Sequence, residues 1–425
     1  MNRTALALLA ACVAPIAASC TDTAASADAA ADLALDAPGD LTDIVDVASE
    51  RPPLPAYVDP YACPLRAEAA RLDDALDASE ARAGVVRRDS ELIGGEAAAG
   101  RLGHLKLYNS RVRFIVQGRT ETTGNARPVG YDLYGGNLID ADRTRARGAT
   151  GQDVFRETFP AFAFRISTVD EVAVACDGSN GRPAAVRVLG RDAPSRILGI
   201  LDNLARDQNV RLVTHYILRP NSDVMEVVTE AQSLVGNAIN ASATGDFLGF
   251  GSALTIFNPS TGFGSAARAT VPLTWIAAVA DPGEGDRHVS YALAPATGTM
   301  AVPLVDASGT VSLYDTVSAP QGGVARFTRY VSVGDGDVAS AVEPILRARN
   351  DPFGTVTGRT TANALVYAYE GTYAPNGNAR SVARAAMDGM FHMALPPGDY
   401  ALVAVDVGHA RGAPVRVTVA RGQDV

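Results

Sequence analysis

Val210-Arg211-Leu212-Val213-Thr214-His215-Tyr216-Ile217-Leu218 is followed, after Arg219-Pro220-Asn221-Ser222-Asp223, by Val224-Met225-Glu226-Val227-Val228-Thr229. Two runs rich in β-branched and aromatic residues, separated by turn formers, read as two strands of a hairpin. Similar runs recur on both sides: Val112 to Val116, Ala163 to Val169, Ala185 to Leu189, and Val271 to Ala280. Several alternate apolar and polar residues, as a strand with one buried face must. Many short strands with few helical interruptions predict a mainly β chain built on a large antiparallel β-sandwich.

Three stretches depart from that pattern. Pro64 to Ala83 predicts a helix, with Leu65, Ala69, Leu72 and Leu76 as its apolar stripe. Pro194 to Arg206 predicts a short buried helix. Asp337 caps a third, in which Val338, Val342, Ile345 and Leu346 share a face and Pro344 introduces a kink. Asn350-Asp351-Pro352 then marks a domain boundary, and a compact β unit runs from Gly354 to the end, with a tight hairpin signal at Asp388-Gly389 and a corner at Pro396-Pro397-Gly398.

The chain has 425 residues, 37 Lys+Arg against 47 Asp+Glu, and a formal charge of −10. That length accommodates two domains. The acidic balance argues against nucleic acid as partner, because binding phosphates requires a concentrated cationic face. The charge is also uneven. Eight acidic residues and no basic one lie between Thr21 and Glu50, and Arg3 is the one base before Arg51, so residues 51–425 carry 36 basic and 39 acidic groups. Residues 20–62 therefore read as an extended, self-repelling linker with a Pro-rich end, leading to a nearly neutral folded body.

Met1-Asn2-Arg3, an apolar run from Ala5 to Ala18, and Ser19-Cys20 form a secretory signal over residues 1–19, too short to span a membrane. Ile16-Ala17-Ala18-Ser19-Cys20 resembles a bacterial lipobox, although Ala17 stands where leucine is commoner. The resemblance implies a lipid on Cys20, a membrane partner, and a place in the bacterial cell envelope, at the outer membrane facing periplasm or exterior. Once Cys12 leaves with the signal and Cys20 is lipidated, Cys63 and Cys176 remain as a candidate disulfide in an oxidising compartment.

The turn signals after Gly354 resemble the carboxypeptidase regulatory-like module. This implies a small prealbumin-like β-sandwich over residues 351–425, usually without catalytic residues. The region 63–350 resembles, through Asn109 to Val116, Gly135 to Ala141 and Arg329 to Ser340, segments that precede such a module in secreted PHP-type metallohydrolases related to carbaryl hydrolase. That resemblance implies a front region whose catalytic domain is absent from this chain. The large sandwich is also similar to galactose-mutarotase-like supersandwich folds.

The candidate chemistry is sparse. His104, His215, His288, His392 and His409 show no paired spacing, so no metal and no cofactor is expected. His215 stands in an apolar strand, and the mutarotase analogy implies acid/base work with Glu226 or Glu230 of the next strand. Asp281 to Asp286 is acidic without the spacing of a calcium loop. Gly334 to Ala339 copies a dinucleotide loop only superficially. Gly249 to Ser252 and Gly262 to Ser265 read as bulges. The aromatic residues make up 6% of the chain and show no concentrated stacking surface. The expectation is a lipoprotein with a binding or scaffolding role toward carbohydrate, an envelope polymer or another envelope protein. Its alternatives are the front part of a PHP-type metallohydrolase, or a sugar-acting epimerase or lyase.

Overall fold

The computed structural model describes residues 56–68, 70–119, 135–146, 148–194, 205–249, 254–264, 269–280, 288–305, 309–406, 408 and 410–425. The signal run, Cys20, the acidic stretch, nearly all of the helix expected at Pro194 to Arg206, the turn Asp281 to Asp286, most of the Gly249 to Ser252 segment, and His409 lie outside these residues.

Two nine-stranded sheets form the large sandwich among the described residues. The first runs in space Ala81–Val85, Leu105–Asn109, Val112–Val116, Leu138–Arg143, Glu157–Phe162, Ile239–Gly249, Gly309–Ala319, Met300–Val305, Ala269–Leu273. The second runs Gly262–Phe263, Leu254–Asn258, Ile276–Ala280, Ser290–Pro295, Val324–Gly334, Val224–Ser233, Val210–Leu218, Ala184–Ala193, Ile166–Asp177. All of their pairings are antiparallel, as hairpin-connected strands require. The core between them takes Leu107, Phe114 and Leu248 from one sheet and Leu212, Tyr216, Met225 and Val331 from the other.

The hairpin at Val210–Leu218 and Val224–Ser233 forms in the register His215 to Val228 and Leu218 to Met225. Every residue of Val210–Leu218 is buried. Its inner face meets the core, while Ile217 and Val228 on the outer face lie beneath Tyr61 and Cys63. Burial on both faces explains why this stretch is almost continuously apolar.

Two local expectations are corrected. No helix forms in the described residues of 64–83; turns lead into the strand Ala81–Val85. Leu65 is exposed whereas Leu72 is buried, so the supposed stripe is not one surface. Leu72 N–H donates to Glu91 Oε1 (3.2 Å), and Leu72 C=O accepts from Lys106 Nζ (2.7 Å). Asp77 takes the N–H of Ser79 (2.7 Å). Tertiary and side-chain partners thus satisfy backbone groups that a helix would have paired. The second correction concerns Val271 to Ala280. It is two strands, and the chain changes sheets at Thr274 and Trp275, where the buried Trp275 ring stacks on Phe257 at 6.1 Å.

Helix α1, Val338–Arg349, starts at the predicted cap: Asp337 Oδ1 accepts the N–H of Ser340 at 2.7 Å. It runs on through Pro344 and ends at Asn350, in the left-handed conformation (φ 56°). Its apolar face, Val338, Val342, Ile345 and Leu346, packs against Trp275, Ala277 and Ala292 of the large sandwich and against Val382 and Ala394 beyond it. Beyond it is a small β-sandwich. One sheet pairs Gly354–Arg359 with Met390–Leu395; the other has the order Ser381–Arg384, Leu365–Glu370, Gly398–Val405, Val415–Val419. Val356, Val366, Phe391, Met393 and Leu402 fill the space between. Gly389 (φ 79°) supplies the left-handed residue of the turn at Asp388-Gly389, which carries the chain from one small sheet to the other.

Candidate functional site

His215 projects from the outer face of the second large sheet. The register brings Glu226 and Glu230 beside it, flanking Val228. Both are held by arginines. Glu230 is engaged by Arg326, and Glu226 accepts from Arg219 Nη2 at 3.3 Å. His215 Nε2 instead hydrogen-bonds Asp59 Oδ1 at 3.1 Å, and the Tyr61 ring covers it with centroids 4.7 Å apart. Arg187 Nη1 lies 3.3 Å from the other oxygen of Asp59. Burial raises the Asp59 pKa, but hydrogen bonds from His215 and the Tyr61 N–H, with the charges of His215 and Arg187, outweigh it and hold the carboxyl below its ordinary value.

This cover is tied down covalently. Cys63 and Cys176 form a disulfide with Cα atoms 4.9 Å apart, bridging 113 positions of sequence, and Cys63 N–H donates to Ala175 C=O at 3.1 Å. His215 is fully buried, so it stands in no solvent-open cleft where a sugar could meet it. Asp59 was invisible to sequence reasoning as its partner. The available clue was its place four residues before Cys63, which a bridge to Cys176 brings over the sheet. His392 pairs with Glu343 of α1 (2.7 Å), and His104 Nδ1 accepts the N–H of Arg101 (3.2 Å).

Open polar and aromatic groups come together elsewhere, where the large and small sandwiches meet. Pro259 and Ser260, just past the strand Leu254–Asn258, face Tyr369, Glu370, Asn378 and Arg380 of the small sandwich across a cleft of about 410 Å³. Tyr367 and Tyr369 are alternate residues of Leu365–Glu370, so both rings project from one face. Their centroids lie 6.4 Å apart at 27° between planes, and Tyr373 meets Tyr369 edge-on at 5.0 Å. Arg411 Nη1 donates to Tyr373 Oη at 3.0 Å. Burial pushes the Tyr367 and Tyr369 phenols upward, so both stay neutral donors in ordinary conditions.

The cleft wall is braced across the junction. Arg380 Nη1 donates to Pro259 C=O at 2.8 Å while its Nε donates to Glu370 Oε2 at 2.7 Å, and Asn378 Nδ2 donates to Ser260 C=O at 3.0 Å. Facing groups of this kind suit a flat, hydroxylated ligand. A Tyr ring presents a negative π-face to the weakly positive C–H face of a sugar, and the adjacent carboxylate, amide and guanidinium bond its hydroxyls. The expectation of no concentrated stacking surface is therefore corrected at one place: strand alternation and the loop after Leu365–Glu370 bring three rings of one short segment together. The alternation Tyr367-Ala368-Tyr369 was the local signal for it.

Neither a family model nor a curated protein matches the chain. Solved structures do resemble it in part. A TPR-domain containing protein from Parabacteroides distasonis is 8% identical with a TM-score of 0.33, covering 54% of this chain and 46% of its own. The GH36 alpha-galactosidase AgaB from Geobacillus stearothermophilus is 10% identical with a TM-score of 0.37, covering 60% of this chain and 44% of its own. A putative aldose 1-epimerase from Klebsiella pneumoniae subsp. pneumoniae is 8% identical with a TM-score of 0.33, covering 64% of this chain and 94% of its own. The chain thus spans less than half the length of the first two. None of these likenesses carries a substrate or a reaction over to it.

Proposed function

We propose that this chain is a cell-envelope lipoprotein whose folded body binds, without transforming, a carbohydrate or related envelope polymer between its two sandwiches. The observation that carries this reading is Tyr369 beside Glu370, Asn378 and Arg380 in one cleft, its ring flanked by those of Tyr367 and Tyr373. Aromatic faces next to planar hydrogen-bonding groups fit sugar rings better than they fit a purely apolar ligand. The sealed state of His215, and the engagement of Glu226 and Glu230 by arginines, favour binding over acid/base catalysis at that position.

The test is direct binding of a panel of envelope-derived and plant oligosaccharides to the full chain, followed by Tyr369→Ala. The reading expects at least one saccharide to bind and Tyr369→Ala to weaken it by about tenfold or more, the loss of roughly 1.4 kcal/mol of stacking. Binding unchanged by Tyr369→Ala, or no saccharide bound, overturns it. The anchor is tested separately. Cys20→Ala is expected to move the protein from the membrane to the soluble fraction, and unchanged fractionation removes the tether from the proposal.

A further inference from the structure

Beside the cleft lies a second pocket of about 230 Å³, also at the junction. Thr255 and Phe263 of the large sandwich, Asp337 at the start of α1, and Tyr367 and Arg384 of the small sandwich line it. Phe263 is 39% exposed and rests edge-on against the buried Phe257 ring at 4.8 Å, so one face of a rigidly supported aromatic remains open. Tyr367 links the two spaces, since its ring neighbours that of Tyr369 in the first cleft.

Arg384 distinguishes this pocket. Its backbone N–H donates to Asp337 Oδ2 at 2.6 Å, which fixes where the residue enters. Its guanidinium makes no ion pair among the described residues, and Nε is buried without a hydrogen-bond partner. Neighbouring arginines differ. Arg380 pairs with Glu370, Arg347 with Glu343, Arg349 with Asp351, and Arg411 bonds Tyr373. Nor is Asp337 a free counter-ion: Oδ1 accepts from Ser340 and Oδ2 from the Arg384 backbone. The residue is half-buried, so the charge keeps contact with solvent, but the buried Nε lacks an acceptor, and a guanidinium matches the two oxygens of a carboxylate or sulfate that could supply one.

We infer that this pocket takes an anionic sugar unit, its ring against Phe263 and Tyr367 and its carboxylate or sulfate on the Arg384 guanidinium. The inference rests on the saccharide-binding reading and narrows it from carbohydrate in general to acidic polymers. Neutral units then occupy the Tyr369 cleft while an acidic unit engages Arg384.

The experiment compares three oligosaccharides of matched length, one neutral, one containing uronate and one sulfated, by calorimetry on the full chain, Arg384→Gln, Arg384→Lys and Tyr369→Ala. The wild type is expected to prefer at least one acidic oligosaccharide by about tenfold, and added salt should reduce that preference. Arg384→Gln should abolish the preference and leave neutral binding unchanged, and Arg384→Lys should restore it in part. The better of the two acidic ligands identifies the oxyanion. An acidic preference that survives Arg384→Gln, or a wild type that binds neutral and acidic ligands equally, overturns this inference while a loss with Tyr369→Ala still upholds the underlying reading. No binding to any of the three, across a saccharide panel, overturns that reading itself.

Discussion

Asp337 accepts the backbone N–H of Arg384, 47 residues further along the chain, at 2.6 Å through Oδ2. Its other oxygen accepts the N–H of Ser340 and caps α1. One carboxylate therefore joins the start of the helix that follows the large sandwich to a strand of the small one. The pocket around Arg384 inherits its geometry from that clasp.

Asp337→Ala should accordingly cost more than an ordinary cap. Losing the cap contributes about 1 kcal/mol and losing the clasp a comparable amount, so about 2 kcal/mol of stability is expected to disappear. Urea denaturation measures the total. Limited proteolysis around Asn350 to Phe353 should accelerate, because the small sandwich is less firmly held.

The Cys63–Cys176 bridge closes a loop of over a hundred residues, separated by 113 positions. Loop-closure entropy assigns such a bridge about 4–5 kcal/mol. Reduction, or the double change Cys63→Ser with Cys176→Ser, should lower the guanidinium midpoint correspondingly. Diethylpyrocarbonate should then modify His215 faster than in the oxidised protein, since the Asp59–Tyr61 cover is no longer tethered. A midpoint indifferent to reductant contradicts this.

Two buried carboxylates, Asp140 in the first large sheet and Asp153 just ahead of its strand Glu157–Phe162, give stability a pH dependence. Asp140 accepts the N–H groups of Ala99 (2.7 Å) and Gly100 (3.0 Å). Asp153 Oδ1 accepts from Ala141 (3.0 Å), Phe155 (3.1 Å) and Tyr291 Oη (3.2 Å), whereas its Oδ2 is buried without a partner. Burial pushes Asp140 up to about 7; burial and the neighbouring Asp140 charge push Asp153 well above the ordinary range. For both, the folded protein holds protons that the unfolded chain has released once the pH exceeds about 4. Their contribution to stability is thus fullest below that value and falls as pH rises toward 7, by up to about 1.4 kcal/mol per pH unit per proton. Asp153→Asn should flatten the decline in thermal melts as pH rises from about 5 toward 7.

Inside the large sandwich, Arg329 Nε sits 2.8 Å from Asp246 Oδ2, and its Nη1 donates to Thr229 Oγ1 at 2.8 Å. Tyr314 Oη donates to the same carboxylate. Arg329→Met alone strands the Asp246 charge and is expected to cost about 3–5 kcal/mol. Combining it with Asp246→Leu should recover much of that loss, because no unpaired charge remains. Additive losses in denaturation experiments would show that the pair does not act as a unit.

The strands and helix α1 were the most legible features. Alternation in Ala185 to Leu189 and the turn formers after Leu218 are local signals, and hairpin pairing needs little more than them. Asp337 was equally readable, because a cap acts on groups three residues away. Leu65, Ala69, Leu72 and Leu76 misled for the opposite reason. Their spacing is helical, but Glu91 and Lys106 take the backbone groups of Leu72, and no local pattern records that. The run from Val271 to Ala280 likewise reads as one strand, since the chain changes sheets around a ring that packs against Phe257.

That the chain is mainly β, arranged as a large antiparallel sandwich and a smaller one, could be read from the order of its residues, because strand periodicity and turn chemistry are properties of neighbouring residues. Only the tertiary structure decided which side chains do chemistry together. His215 met Asp59, Asp337 met Arg384, Tyr369 came to face Pro259 across one cleft, and Tyr367 came to face Phe263 across a second pocket. Such meetings depend on how whole sheets dock. Docking is set by the fit of buried surfaces contributed from the entire chain, and no window of sequence contains that information.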